Sequence, residues 1–285
     1  MLKKLMTDMK ANNEAVLVIG AHPDDPELQA GGTSVLFARC GNSVQFISVT
    51  NGDAGHHRLS GEELAERRKA EAAMSSRVAG IGYVVMDNRD GELEPTVDNR
   101  KDLIRRIREF RPDIIITHRP YDYHPDHRYT SILVQDAVFF ASIPNICPDV
   151  PPLKRKPVLL YSGDSFFKPL PFHADFAVGI DQAIGAKLDM MHCHESQFYE
   201  FLPLSLGVPE KVPEGGAERR AWLESQWAGE WRADPWRELL ARFYGEHGKS
   251  FRYAEAFELS EYGHIPADPR EIFPFLPERT PHSKE

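Results

Sequence analysis

Cysteine is scarce in this chain, and long hydrophobic runs and basic clusters are absent. The 285 residues include only three cysteines, which lie far apart and form no C-x-x-C pair. An odd and scattered set of cysteines is not typical of a disulfide framework, so it predicts a reducing, cytoplasmic setting. No apolar core of signal-peptide length precedes the polar stretch 8–14, and no apolar run has the length of a transmembrane helix, so we expect neither a signal peptide nor a membrane span.

Positive charge is also in the minority. Lys and Arg number 34 against 43 Asp and Glu, which gives a formal net charge of −9. Without a basic stretch the chain lacks the electrostatic attraction that nucleic acid and anionic membranes require of a partner. We therefore expect the chain to bind a small molecule, with no nucleic acid and no membrane as partner.

The first two thirds of the chain alternate short β-branched runs with helical patterns. This alternation predicts an α/β fold, a Rossmann-like and mostly parallel sheet flanked by helices. The predicted strands are 16–20, 44–50, 83–86, 114–117, 158–161 and 176–180. The predicted helices are 28–39, 62–78, 99–110, 128–141 and 182–194.

We expect one domain over residues 1–285, with a catalytic α/β core over 14–197. Residues 198–250 hold all four tryptophans and predict a helical appendage, which would either add structural bulk, cover the sheet edge or form a subunit contact in a homo-oligomer. Five prolines between residues 142 and 157 predict a loop and a candidate lid.

Two polar groups follow predicted strands. His22, Asp24 and Asp25 come directly after the first strand, and His124 and His127 come shortly after the fourth. Because side chains at the carboxyl ends of parallel strands converge on one crevice, one His and one Asp of the first group with one His of the second predict a three-ligand metal site. No cysteine joins them, so Zn²⁺, Fe²⁺, Mn²⁺ and Co²⁺ all stay open. The alternatives are a helix cap and a surface turn.

Several short motifs carry a family resemblance. They are AHPDDPE at 21–27, GGT at 31–33, TNGDAG at 50–55, RKAE at 68–71, HPDH at 124–127, HESQ at 194–197 and YAEAF at 253–257. In this order they resemble the PIG-L/LmbE-like zinc-dependent de-N-acetylases, the N-acetylglucosaminyl deacetylases. The AHPDDxE form is similar to the N-acetylglucosaminyl-malate deacetylases within that family.

The resemblance implies roles for five residues. His22, Asp25 and His127 would be the metal ligands, and Asp24 would be the general base that takes a proton from metal-bound water. His124 would donate to the oxyanion or protonate the leaving amine. These roles agree with the chemistry of metal-assisted amide hydrolysis, in which the cation activates water and polarises the carbonyl.

Further residues are candidates for substrate contact or for support of the ligands. Asp53, Arg68 and Asp90 follow strands two and three or lie on the next helix, where they would bind sugar hydroxyls; Arg68 would otherwise lie on a solvated helix face beside Glu71. The resemblance places His194 at the edge of the site.

Two carboxylates are candidates for a supporting role around the metal. Glu27 and Asp126 would act outside the ligand set, with Glu27 accepting a hydrogen bond from a metal-bound histidine. Pro26, which precedes Glu27, suits the first turn of a helix because its missing N–H has no partner there.

The resemblance, together with these residues, implies a metal-dependent hydrolase that removes the N-acetyl group from an N-acetylglucosamine-type conjugate. Two alternatives stay open: a metal-dependent amidase acting on a non-sugar or peptide-like conjugate, and a non-catalytic sugar-binding homologue. A nicotinamide-dependent oxidoreductase is disfavoured, because the first loop lacks G-x-G-x-x-G and places two carboxylates where a pyrophosphate would bind.

Overall fold

A computed structural model of the chain describes residues 14–277. The amino-terminal stretch in which we expect no signal peptide lies outside the described residues, as do residues 278–285. Among the helices that are described, none is long and apolar enough to cross a bilayer.

Seven strands form one sheet. They are β1 Ala15–Gly20, β2 Ser43–Thr50, β3 Gly82–Asn88, β4 Ile114–Thr117, β5 Val158–Ser162, β6 Phe176–Gly179 and β7 Ala254–Leu259, in the order β3-β2-β1-β4-β5-β7-β6. Strands β1 to β5 pair in parallel, whereas β7 runs antiparallel to both β5 and β6. The mostly parallel sheet and its six predicted strands are confirmed, and β7 is a strand that the sequence reading did not predict.

Eight α-helices accompany the sheet in the described part of the chain. They are α1 Asp25–Arg39, α2 Gly61–Ala79, α3 Val97–Phe110, α4 Pro125–Phe140, α5 Ile184–His192, α6 Leu202–Ser205, α7 Gly216–Trp227 and α8 Arg237–Tyr244. Helices α1, α2 and α5 pack together, and α3 packs on α4. The five predicted helices are confirmed with boundaries that shift by a few residues.

The central strand β1 is buried on both faces. Val16 and Val18 belong to one hydrophobic cluster, while Leu17 and Ile19 belong to another on the opposite face. Such a strand reads as a continuous apolar run because side chains alternate between two covered faces. Polar side chains can follow β1 only where it emerges from these two cores.

The strand order reverses between β1 and β4. The chain builds outward from β1 through β2 to β3 on one side, and then returns to place β4 on the other side of β1. In open α/β sheets a ligand crevice forms at such a switch point, beyond the carboxyl ends of the two strands. The loops after β1 and β4 therefore meet there, which brings the two predicted polar groups together.

The proline-rich segment is held by one buried arginine. Arg108, on α3, is 1% exposed and donates to the backbone carbonyls of Phe140, Ala141, Ile143, Cys147 and Val150. A buried guanidinium needs such partners, because an unpaired charge in the core is costly. These contacts fix the segment beside α3 and α4.

Candidate active site

Backbone hydrogen bonds fix the turn after β1. The backbone N–H groups of Asp24 and Asp25 both donate to the carbonyl of His22, at 3.0 and 3.2 Å. Asp24 adopts φ 152°, a conformation that favours glycine and that here is imposed on an aspartate. Gly20 leaves room for the turn, because a Cβ atom at that position would lie 2.5 Å from the Cβ of Asp25.

The loop after β4 leads into α4. His124 precedes the helix, and its Nδ1 accepts the backbone N–H of Asp126 at 3.2 Å, as an N-cap does. Pro125 occupies the first helical position, where its missing N–H has no partner in any case. His127 then lies within the first turn, and its ring faces the side chains of the β1 turn.

Three atoms from the two loops form a nearly equilateral triangle. The Nδ1 of His22 lies 3.3 Å from the Oδ2 of Asp25 and 3.2 Å from the Nε2 of His127. That Nε2 lies 3.4 Å from the Oδ2 of Asp25. Donor atoms about 2.0–2.2 Å from a tetrahedral cation are about 3.3–3.6 Å apart, so the triangle has the size of one face of such a site.

Other potential metal-binding groups overlap this triangle. Each group of ligating atoms within 4.8 Å in the described residues contains His22 or His127, and the groups add His118, His124, Asp90 or Asp126. The chain therefore concentrates its nitrogen and oxygen ligands at one place.

Carboxylates orient both histidines of the triangle. The Nε2 of His22 lies 3.2 Å from the Oδ1 of Asp90 and 3.3 Å from the Oδ2 of Asp126. The Nδ1 of His127 lies 3.1 Å from the Oδ1 of Asp122. Each ring thus turns one nitrogen to a carboxylate and the other to the triangle, an arrangement in which outer carboxylates can orient histidines that bind a metal.

The surrounding carboxylates favour positive charge at the triangle. Burial lowers the pKa of His22, but its hydrogen bonds to Asp126, Asp25 and Asp90 outweigh burial and raise that pKa well above its usual value. For Asp25, burial alone would raise the pKa, but the imidazoles of His127 and His118 hold that pKa well below its usual value. These side chains form an environment that suits a cation.

Asp24 lies beside the triangle and takes no part in it. Its Oδ1 accepts from the Nη2 of Arg68 at 3.2 Å, and this nitrogen also donates to the carbonyl of Pro23. The Nη1 of Arg68 donates to the carbonyl of Gly52. Burial raises the pKa of Asp24 to about 6, with Arg68 opposing and Asp25 adding to the rise. Arg68 is 2% exposed, so its alternative position on a solvated helix face is wrong.

His124 is half-buried and lies next to both histidines of the triangle. Its ring centroid lies 4.6 Å from that of His22 and 5.0 Å from that of His127. Since Nδ1 accepts from the backbone, the proton of the neutral ring lies on Nε2. Burial lowers the pKa of His124, as do the two neighbouring rings. The structure therefore favours a neutral His124 that can donate from Nε2.

Two residues near the triangle were missed by the sequence reading. His118 is buried and stacks on His127, with ring centroids 4.0 Å apart and planes 17° apart. Its Nε2 accepts the N–H of Ala21, and burial together with His127 lowers its pKa to about 4. Asp122 is the other, because it orients His127. His118 directly follows β4, which was the available signal.

Arg68 and Asp90 line the crevice, whereas Asp53 and His194 do not. The two carboxylate oxygens of Asp53 accept from the backbone N–H of Asp90 and from the Nε of Arg89. His194 is fully buried beneath the site. The structure therefore brings Asp53 and His194 close to the lining without placing either in it.

Glu27 accepts hydrogen bonds, but not from a histidine of the triangle. Its partners are the Nε2 of His194 at 2.8 Å, the hydroxyl of Ser75 and the hydroxyl of Tyr83 at 3.3 Å. The expectation that Glu27 fixes a metal-bound histidine is therefore corrected, because His194 lies outside the triangle. Asp126, in contrast, contacts a histidine of the triangle, with its Oδ2 3.3 Å from the Nε2 of His22.

An open cavity of about 820 Å³ begins at the triangle. Side chains of the tryptophan-rich segment form part of its wall, together with aromatic residues of the loops after β4 and β5: Tyr123, Phe166, Phe201, Trp227, Trp231 and Trp236. No described residue of 142–157 lines this cavity, and a lid role for the proline-rich segment stays a prediction.

Comparison with known proteins identifies relatives of the chain. Residues 17–138 match the family described as "PIG-L: GlcNAc-PI de-N-acetylase". A diacetylchitobiose deacetylase of Thermococcus kodakarensis is 33% identical over 211 residues, which cover 70% of this chain and 77% of that protein. A Bacillus anthracis protein named "Probable N-acetyl-alpha-D-glucosaminyl L-malate deacetylase 2" is 24% identical over 75% of this chain and 94% of its own length.

A solved structure has the same fold. The N,N'-diacetylchitobiose deacetylase of Pyrococcus horikoshii, in complex with an inhibitor, superposes with a TM-score of 0.65 at 27% identity, covering 91% of this chain and 90% of that one. The residues of the triangle lie in the stretch that matches the family. With a relative of this identity and coverage, the chain belongs to the PIG-L family of de-N-acetylases.

Proposed function

We propose that the protein is a metal-dependent deacetylase that hydrolyses the acetamido group of an N-acetylglucosamine-type conjugate, releasing acetate and a free amine. The observation that carries the proposal is the triangle of His22, Asp25 and His127, with the carboxylate of Asp24 beside it. The relatives are named as deacetylases of amino-sugar compounds, which supports the same reaction class here.

The donor set fits a divalent cation of the zinc type. Two imidazole nitrogens and one carboxylate oxygen, without sulfur, suit Zn²⁺ and also Fe²⁺, Mn²⁺ or Co²⁺. When bound there, the cation would polarise the amide carbonyl and lower the pKa of a coordinated water. His22, Asp25 and His127 are the residues that would hold it.

Asp24 is the general base in this proposal. It neighbours a ligand residue but is held away from the triangle by Arg68, so its carboxylate stays available to take a proton from the attacking water. The strained backbone of Asp24 and the hydrogen bonds of Arg68 fix the carboxylate at one place. A fixed base loses little entropy on reaching the reactive geometry.

His124 serves the carbonyl oxygen of the amide. Its Nε2–H would donate to the negative charge that develops on that oxygen, while the proton that Asp24 takes from the water would pass to the departing amine. Asp90 and Arg68 line the same cavity and would bind sugar hydroxyls, while Asp53 holds the Asp90 backbone in place. His194 and Glu27 act beneath the site, where His194 is within electrostatic reach of Asp24.

Acetate release from two sets of compounds tests the proposal. We expect hydrolysis of N-acetylglucosamine derivatives and at least 100-fold slower hydrolysis of N-acetyl-amino acids of similar size. Hydrolysis of the amino acids alone would instead identify an amidase of non-sugar conjugates. Binding of the sugars without any acetate release would identify a non-catalytic binding protein.

A further inference from the structure

We infer that the cavity beyond the reacting acetamido group binds an uncharged sugar ring, so that the substrate is a neutral N-acetylated oligosaccharide rather than a conjugate with an anionic aglycone. This inference rests on the proposed deacetylation and concerns the part of the substrate beyond the reacting acetamido group. It follows from the aromatic side chains of the cavity wall and from the pairing of the charges there.

The cavity is larger than the triangle and its immediate neighbours require. Its volume of about 820 Å³ lies near the upper end of ordinary small-molecule sites, which span about 300–1,000 Å³. It extends from the triangle to the tryptophan-rich segment, so a ligand that fills it must continue past the acetamido group. A second ring on the substrate would occupy that space.

Two half-buried tryptophans give this part of the cavity rigid aromatic surfaces. Trp227 packs edge-to-face on Phe198, with ring centroids 5.2 Å apart, and Trp236 packs edge-to-face on Phe172 at 5.7 Å. Both tryptophans line the cavity. Because their edges or faces are fixed by other rings, they present preorganised apolar surfaces to a ligand. The C–H groups on the face of a pyranose suit such a surface.

Trp231 is occupied by contacts within the protein. The Nζ of Lys187 lies 3.9 Å from its ring centroid, and its indole N–H donates to the carbonyl of Leu28. Trp231 is 8% exposed, so most of its surface is occupied by the protein. We therefore assign ligand contact to Trp227 and Trp236.

Both arginines in the described lining already have anionic partners. Arg68 contacts Asp24 and Asp90 at 3.2 and 3.6 Å. Arg119 is 2% exposed and contacts Asp164 and Glu258, each at 3.0 Å. No described lysine lines the cavity. An anionic aglycone would therefore find no unpaired lysine or arginine there, and desolvating its charge would be uncompensated.

Carboxylates in the same wall are not all neutralised. Glu255 is paired with Lys187 at 2.6 Å and also accepts the backbone N–H groups of Gly32 and Thr33. Glu230 is exposed at the cavity and pairs with no cation among the described residues. Its carboxylate would repel an anionic aglycone, whereas it could accept hydrogen bonds from sugar hydroxyls. The wall thus selects against malate-like or phosphate-bearing groups.

The inference is tested by kcat/KM for acetate release from N,N'-diacetylchitobiose, N-acetylglucosamine and N-acetylglucosaminyl malate. We expect the wild-type protein to prefer the disaccharide over the malate conjugate by at least about 10-fold. Trp236→Ala should lower kcat/KM for the disaccharide by about 10-fold through KM, with less than about a threefold loss on the monosaccharide. Trp236→Tyr should restore most of the loss.

Matched variants separate ligand contact from damage to the fold. Trp222→Ala is the control for Trp236→Ala, since Trp222 belongs to the same segment and packs on Tyr199 but does not line the cavity. Glu230→Lys should raise kcat/KM for the malate conjugate several-fold. Glu238→Lys, which changes an exposed acid outside the cavity, should leave that value as it was.

The inference is overturned by a wild-type preference for the malate conjugate, or by Trp236→Ala reducing turnover of all three substrates equally. Failure of the proposed function has another signature: no acetate is released from any of the three. In that case, disaccharide binding measured by calorimetry on the Asp24→Asn protein tests the sugar-binding inference without turnover. Weaker binding when Trp236→Ala is added supports the inference, and unaltered binding contradicts it.

Discussion

The Nε2 of His127 lies 3.2 Å from the Nδ1 of His22, although 105 residues separate them in the chain. Their loops meet because β1 and β4 are parallel neighbours at the reversal of strand order. Carboxylates on the far side of each ring hold the two nitrogens in this position. The spacing needed by a tetrahedral cation is therefore set by the sheet and by the carboxylates outside the triangle.

Replacing Asp24 with Asn should remove the general base and keep the metal site. We expect acetate release to fall by about 10²–10⁴-fold, the usual contribution of acid–base catalysis, while metal content stays at the wild-type level. Metal content measured beside turnover separates the two effects. As the contrasting variant, Asp25→Asn should lose the metal. Wild-type turnover in Asp24→Asn would refute the assignment of the base.

Removing the carboxylates that orient the histidines should weaken metal binding. For Asp122→Asn and Asp126→Asn we expect a decrease of about 10–100-fold in metal affinity, because the ligand rings lose their fixed tautomer and orientation. Competition with a chromogenic chelator measures the affinity. Asp149→Asn is the control, since Asp149 pairs with Arg105 at the surface. Equal affinities in all these proteins would show that the outer carboxylates do not support the site.

Adding one methyl group at Gly20 should disturb the β1 turn. The new Cβ would lie 2.5 Å from the Cβ of Asp25 and 2.8 Å from the Cδ of Pro26, so the turn must move. We expect Gly20→Ala to lower the free energy of unfolding by about 1–3 kcal/mol and to reduce metal affinity. Gly185→Ala is the matched control, because a Cβ there meets nothing within 4 Å. Urea denaturation and metal titration of the two variants measure these changes. A Gly20→Ala protein with the stability and metal affinity of the wild type would contradict the steric argument.

The buried pair of Lys187 and Glu255 should be essential to the fold. Lys187 is fully buried, and its Nζ donates to Glu255, which in turn accepts the N–H groups of Gly32 and Thr33 inside α1. Lys187→Met would leave the carboxylate buried and unpaired, at a cost of about 3–5 kcal/mol in the free energy of unfolding.

Chemical denaturation of Lys187→Met measures that cost. Lys69→Met, which removes an exposed pair with Glu66, should change the stability by less than about 1 kcal/mol. A double variant, Lys187→Met with Glu255→Gln, should recover part of the loss because the unpaired charge is gone. Similar stabilities of the Lys187→Met and Lys69→Met proteins would contradict the argument.

Most of the sheet was predictable because its strands are buried on both faces. The apolar runs at β1, β4 and β5 are nearly continuous, and this is the pattern of central parallel strands. Strand β7, with the sequence AEAFEL, escaped prediction because two alanines and two glutamates have low β propensity. Its buried Glu255 is compensated by an ion pair with Lys187.

The residues of the candidate site that belong to sequence motifs were predictable. Contacts that depend on the orientation of a side chain were not. The motif residues His22, Asp25 and His127 converge as the strand-end argument expects. The stacking of His118 on His127 depends on where a side chain points, which spacing along the chain does not encode. The same limit explains why the sequence did not identify His194 as the partner of Glu27.

Metal content measured together with acetate release tests the central claim most directly. We expect the purified protein to bind about one divalent cation per chain, to lose both the cation and acetate release from an N-acetylglucosaminide on chelation, and to regain both when Zn²⁺ is added back. His127→Ala should bind no cation under the same conditions. Acetate release at the wild-type rate from metal-free protein would contradict the account.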